Sequence, residues 1–267
     1  MNNQLAGKNS MVGAQAKPGI VRQALVVVAL LATIAVNGLA NALPLNGQGT
    51  GEISDRFQVF FVPAGYVFAI WGLIYLALIA YAVYQALPAQ RSNPRLARIG
   101  YLFVASCAAN IVWLFLWHYN QFPLTLLAML ALLGTLITIY LRLGIGKTSV
   151  PAAERWLAHV PFSIYLGWVT VATIANATSL LDFLKWNGWG IAPEAWTVVM
   201  LAAAGIIATL ISFTRRDAAY LLVLVWAISG IAVKHAATAV VANAAWVVTG
   251  FVVLMLGVAA VKGRVLK

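Results

Sequence analysis

Phe61-Val62-Pro63-Ala64-Gly65-Tyr66-Val67-Phe68-Ala69-Ile70-Trp71-Gly72-Leu73-Ile74-Tyr75 carries a polar loop straight into an apolar segment long enough to cross a bilayer. Pro63 and Gly65 set the turn, because proline fixes φ and suits the first helical turn. Phe68, Trp71 and Tyr75 then recur at i, i+3 and i+7, so the spacing predicts that they share one helix face. An aromatic stripe beneath a loop, at the mouth of a membrane bundle, suits the floor of a pocket for a flat apolar ligand. The same stripe also suits an interfacial aromatic belt, which membrane helices carry in any case.

Composition sets the class. The chain is 63% hydrophobic and 9% charged, with a mean hydropathy of +0.91, so its solvent is lipid rather than water. The single cysteine, Cys107, excludes an internal disulfide and any CxxC metal or haem-attachment motif. The formal net charge of +11 raises nucleic acid as a partner, and the distribution of that charge argues against it. Residues 1–23 are polar and are expected to form a mobile cytoplasmic tail. A first spanning helix is predicted over 24–44, followed by spans at about 64–87, 98–118, 122–142, 156–180, 195–214, 218–234 and 240–261. That gives an all-α polytopic bundle of about eight transmembrane helices. Pro88, Pro123, Pro151 and Pro193 fall at the proposed helix ends, where proline belongs.

Eight crossings sort the charge. Of 17 Lys and Arg, only Arg56, Lys185 and Lys234 fall on one side, leaving 14 on the other. By the positive-inside rule both termini are expected in the cytoplasm, with a bacterial inner membrane as the expected location. The basic excess is thus a topology signal, with membrane lipid as a partner and nucleic acid excluded.

Within the spans lie polar residues that a lipid-facing helix avoids. Asn37 and Asn41 are four apart. Asn110, Trp113 and Trp117 form one face, as do Tyr165, Trp168, Ala172 and Asn176 on a later helix. Such asparagines turn inward, either to glue helices together or to line a cavity with the neighbouring indoles. Catalysis finds little support. No carboxylate sits mid-span and no Ser-His-Asp or metal-ligand spacing occurs, so no catalytic residue and no metal site is assigned. A bis-histidine haem would need His118 to face His235 at one depth, the only pairing the sequence offers.

The chain resembles the TspO/translocator-protein family, the tryptophan-rich sensory (TspO/MBR) proteins. Three motifs carry the likeness: Pro63-Ala64-Gly65-Tyr66-Val67-Phe68 with Trp71-Gly72-Leu73-Ile74-Tyr75; Asn110-Ile111-Val112-Trp113 with Phe115-Leu116-Trp117; and Tyr165-Leu166-Gly167-Trp168 running to Ala172-Thr173-Ile174-Ala175-Asn176. Ala64 and Ile164 stand where the family carries proline. The resemblance implies a five-helix transmembrane domain over 24–182, leaving 183–267 as a three-helix C-terminal extension of a divergent, enlarged member.

It also implies a pocket opening toward the first loop, lined by Phe68, Trp71, Tyr75, Asn110, Trp113, Trp117, Tyr165, Trp168 and Asn176. Arg56 is a candidate for ligand carboxylates at its rim, or equally a solvated charge paired with Asp55. The implied ligands are a tetrapyrrole such as protoporphyrin, or a sterol-like molecule or lipid, bound as ligand with no cofactor required. A sensory, regulatory or transport-related role follows. Light-dependent porphyrin breakdown is associated with some members only, and the residues here argue against an enzyme. Two other classes stay open: a small-solute transporter, and an accessory subunit of a larger membrane complex or homodimer. The second would dock through small residues such as Ala202-Ala203-Ala204-Gly205.

Overall fold

The structure is a computed structural model that describes residues 18–43 and 45–265, without the side chains of Pro18, Asn41 and residues 262–265. The helices, in chain order, are α1 (Pro18–Ala42), α2 (Thr50–Asp55), α3 (Ile70–Ala86), α4 (Pro94–His118), α5 (Phe122–Leu143), α6 (Ala152–Glu154), α7 (Val160–Phe183), α8 (Pro193–Thr214), α9 (Ala218–Lys234) and α10 (Ala239–Val265). A tight 3-10 turn, Gly65–Ala69, leads into α3, and a π turn, Arg155–His159, joins α6 to α7.

Seven of these helical stretches are long and apolar enough to cross a membrane, and α9 is a shorter apolar helix. At 1.5 Å per residue its 17 residues reach about 25 Å, slightly less than a typical hydrocarbon core. Both of its ends nevertheless meet opposite ends of the bundle. Asp217, its N-cap, accepts hydrogen bonds from Tyr140 and Ser163, while Lys234 at the other end pairs with Asp55 at 3.0 Å. The charged residues of the turns follow the same division. Arg91, Arg95, Arg155, Arg215 and Arg216 stand at one end of the bundle, hereafter the basic end, and Arg56, Lys185 and Lys234 at the other, the loop end.

Five helices close into a ring in which α1 packs on α3 and α4, α4 on α5, α5 on α7, and α7 back on α3. The interior is one continuous apolar core, with Tyr81, Phe103 and Phe162 meeting edge to face at centroid separations of 4.8–5.8 Å. The C-terminal helices are attached through α9, which lies against α7 and touches the turn before α3; α8 and α10 pack on α9 and on each other. Their small residues serve this layer in part. Ala204, Gly205 and Ala208 are buried, and Gly205 faces the Phe251 ring and Val248. Ala202 and Ala203, from the same small-residue stretch, are exposed.

One expectation about a segment end needs correction. Helix α1 begins at Pro18, within the stretch expected to be a tail, because Arg22 and Gln23 have partners to reach. Arg22 donates to the Arg91 carbonyl at 3.1 Å, and Gln23 and Gln85 exchange side-chain to main-chain hydrogen bonds at 2.6 and 3.1 Å. The bond to the Gln85 carbonyl, with a second from Gln23 to the Leu87 carbonyl at 3.2 Å, satisfies acceptors that the end of α3 would otherwise leave open. The remainder of the expected tail, including Lys8 and Lys17, lies outside the described residues. Asn41, expected to face inward with Asn37, has its side chain outside them too.

Candidate functional site

Eight of the ten residues singled out from the sequence form a connected column inside the ring. It starts at the interface of α3 and α7. Phe68 meets Trp168 edge-on at 5.7 Å, Trp71 stacks on Tyr75 at 5.6 Å, and Trp71 meets Tyr165 and Trp168 edge-on at 6.1 and 6.3 Å. The i, i+3, i+7 spacing holds although Phe68 lies in the 3-10 turn, because that turn runs directly into α3. Such edge-to-face and offset pairs suit rings whose faces are negative and whose edges are positive.

Asn110 connects this cluster to the other side of the ring. Its Nδ2 donates to the Tyr165 hydroxyl at 3.3 Å, and its Oδ1 accepts from Asn37 Nδ2 at 2.9 Å. One polar chain thus joins α1, α4 and α7 across the core. One turn further along α4, Trp113 packs against the main core and also against a second cluster of Ile53, Trp117 and Phe122. Trp113 and Trp117 are stacked at 5.6 Å, and Trp117, Phe57 and Phe122 close the column toward the loop end.

The loop is pinned over that end. Trp117 Nε1–H donates to the Thr50 carbonyl at 3.2 Å, and Asn46 donates to the His118 carbonyl at 3.0 Å. His118 is fully buried. Its Nδ1–H donates to the Leu45 carbonyl at 3.2 Å, which leaves Nε2 to accept from the Thr50 hydroxyl at 2.9 Å. His235 is engaged elsewhere, donating from Nε2 to the Val62 carbonyl at 3.3 Å. Each histidine fastens a different part of the loop, so the two do not converge on a haem.

The remaining two residues sit apart from the column. Asn176 belongs to a buried pair with Thr125, bonded at 3.1–3.3 Å, and holds α7 to α5. Arg56 is exposed; it donates to Asn120 Oδ1 at 2.6 Å and lies over the Phe122 ring. Asp55 does not pair with Arg56, since its carboxylate takes Lys234 instead. Arg56 thus reaches the column only through the Phe122 ring that closes it.

Two members of the column have unfulfilled chemistry. The indole N–H groups of Trp113 and Trp168 are buried and have no hydrogen-bond partner. A buried unpaired donor costs roughly 1–3 kcal/mol, so each is a point where a ligand or water oxygen is favoured.

Sequence reasoning overlooked a larger feature. A cleft of about 1230 Å³ lies on the basic side between α3, α7 and α9, bordered by Leu73, Trp156, His159, Arg216 and Trp226. Its arginines were legible only as topology markers, because nothing in the spacing of Arg155, Arg215 and Arg216 reveals that two separate turns meet. Among the described residues no group of His, Cys, Asp and Glu is arranged to hold a metal.

A family model described as TSPO-like protein matches residues 23–258. The match continues past residue 182 through α8, α9 and most of α10. No curated protein and no solved structure matches the chain.

Proposed function

The chain belongs to the TSPO-like protein family, and from that premise we propose that it binds a tetrapyrrole within the five-helix ring as a sensory, regulatory or transport-related membrane protein. The observation that carries the reading is the pair of buried, unpartnered indole N–H groups of Trp113 and Trp168 within a continuous column of aromatic rings. A porphyrin offers a wide flat face for such rings, and its propionates need donors at the wet rim, where Arg56 stands. A sterol-like molecule shares the apolar requirement but has no anion for Arg56. The basic turns are proposed to face the cytoplasm of a bacterial inner membrane, with the pinned loop outside.

Titration of protoporphyrin into the detergent-purified protein, followed by tryptophan quenching and porphyrin absorbance, tests this. Trp168→Leu keeps apolar volume and removes the flat ring. Aromatic contact contributes on the order of 1 kcal/mol, so affinity should fall about three- to thirtyfold. Trp246 is 52% exposed on the outer surface of α10, and Trp246→Leu should leave affinity unchanged. Equal affinity in wild type and Trp168→Leu would remove that tryptophan from the site. Absence of saturable binding in wild type would defeat the tetrapyrrole reading.

A further inference from the structure

The cleft on the basic side does not belong to the aromatic column. Helices α3 and α9 both rest on α7 and are sealed together at the loop end. There the Ala64 N–H donates to the Gly230 carbonyl at 3.1 Å, and Trp226 Nε1–H donates to the Val67 carbonyl at 3.0 Å. Toward the basic end they part, and the gap is bounded by the turn at 145–149, the π turn and the turn between α8 and α9. Its volume of about 1230 Å³ exceeds the roughly 300–1,000 Å³ typical of pockets for drug-sized ligands. Leu73 and Leu222, on opposite walls, are 52% and 53% exposed. Both belong to apolar helices, so the gap opens sideways toward acyl chains as well as toward water.

The wide end is cationic. Lys147, Arg155, Arg215 and Arg216 border it, and Asp217 is the one carboxylate among the bordering residues. The ion pairs among the described residues are Arg95–Glu154 and Lys234–Asp55, so none of these four cations is neutralised by one. The Asp217 carboxylate is occupied by the Tyr140 and Ser163 hydroxyls and the Tyr220 N–H. Arg215 is held in place by the Ile145 carbonyl and the Tyr140 ring. His159, 5% exposed and also at the border, has an Nε2 without a partner, as has the Nε of Arg216.

Guanidinium groups suit phosphate oxygens, and basic pockets between membrane helices on one face suit anionic headgroups. A zwitterionic headgroup would bring its own cation against four others. We propose that the cleft is a binding site for one anionic phospholipid. Its phosphate is held by Arg155 and Arg216, and an acyl chain lies between Leu73 and Leu222.

Native mass spectrometry of the full chain, delipidated in detergent, tests this with palmitoyl-oleoyl phosphatidylglycerol and the matching phosphatidylcholine as probes. One phosphatidylglycerol should be retained in preference to phosphatidylcholine by about tenfold or more. Arg155→Gln with Arg216→Gln should weaken it roughly thirtyfold. Arg98→Gln with Arg142→Gln, which removes equal charge from the same end away from the cleft, should change it less than about twofold. Ala219→Trp keeps every charge, fills the cleft and should abolish retention.

Equal retention of the two lipids, or an equal loss in the Arg98/Arg142 control, would overturn the proposal. So would undiminished retention in Ala219→Trp. Displacement of phosphatidylglycerol by glycerol phosphate or inorganic phosphate at matched concentration would make this a free-anion site. Displacement by protoporphyrin would give the cleft to the tetrapyrrole instead. Neither of those last outcomes is compatible with a lipid site, and none of them depends on whether the aromatic column binds its own ligand.

Discussion

At the scale of single residues, the buried asparagines of the ring each tie two helices together. Asn37 and Asn110 hydrogen-bond to each other and Asn110 to Tyr165, while Asn176 bonds Thr125. Each such bond between membrane helices is worth roughly 0.6 kcal/mol, so they fix register more than they supply stability. The sequence made these asparagines legible as inward-facing, since hydrocarbon penalises the alternative. Which partners they chose was not legible, because pairing depends on helix order around the ring. His235 offers a test at this scale. Burial pushes its pKa below the ordinary histidine value, and neighbouring Lys234 pushes the same way, against the hydrogen bond to Val62. The ring is therefore neutral in the fold at neutral pH. As pH falls below about 6.5 the unfolded chain takes up a proton that the folded chain resists, so stability present above that pH is progressively lost. Thermal unfolding between pH 7.5 and 5 should fall more steeply in wild type than in His235→Gln. Parallel profiles would show that His235 does not contribute.

At the scale of elements, the entry to α3 shows why prediction from sequence succeeded in part. The face shared by Phe68, Trp71 and Tyr75 followed from periodicity, and periodicity survives the change from 3-10 turn to α-helix. The contact that anchors this entry did not follow from it. Gly230 on α9 meets Val67 and Pro63 so closely that a Cβ there would run into the Val67 side chain. Glycine is the residue that allows the Ala64–Gly230 hydrogen bond, and a lone glycine in an apolar helix carries no sign of its distant partner. Gly230→Ala should destabilise by about 1–3 kcal/mol through overpacking. Val67→Ala in the same chain should recover part of that loss, since it removes the atoms in the way. Thermal unfolding of the two variants checks this, and a neutral Gly230→Ala would mean α9 is free to move off the turn.

At the scale of the whole molecule, seven long apolar stretches and the shorter α9 leave Arg56, Lys185 and Lys234 at one end and the arginine-rich turns at the other. Composition was enough to read the class, because it is a sum over many residues; of the eight expected crossings seven are long and apolar enough to span, and α9 is the shorter one. The ring closure and the seating of α9 on α7 were beyond reach, as they rest on side-chain fits between distant segments. Cysteines introduced at Ser92 and Thr148 in a chain lacking Cys107 should label only from the cytoplasm. Those at Gly51 and Asn187 should label only from outside. Labelling of Asn187→Cys from the cytoplasm would end the eight-passage arrangement.

The central claim is that a tetrapyrrole occupies the ring interior at Trp113 and Trp168, and the indole N–H groups themselves report on it most directly. In protein labelled with nitrogen-15 at its tryptophans, each indole resonance can be assigned by single Trp→Phe variants. On saturation with protoporphyrin, the Trp113 and Trp168 resonances should shift while that of exposed Trp246 stays fixed. Resonances of Trp113 and Trp168 that stay in place while those of Trp156 and Trp226 move would put the ligand in the basic cleft and contradict the account.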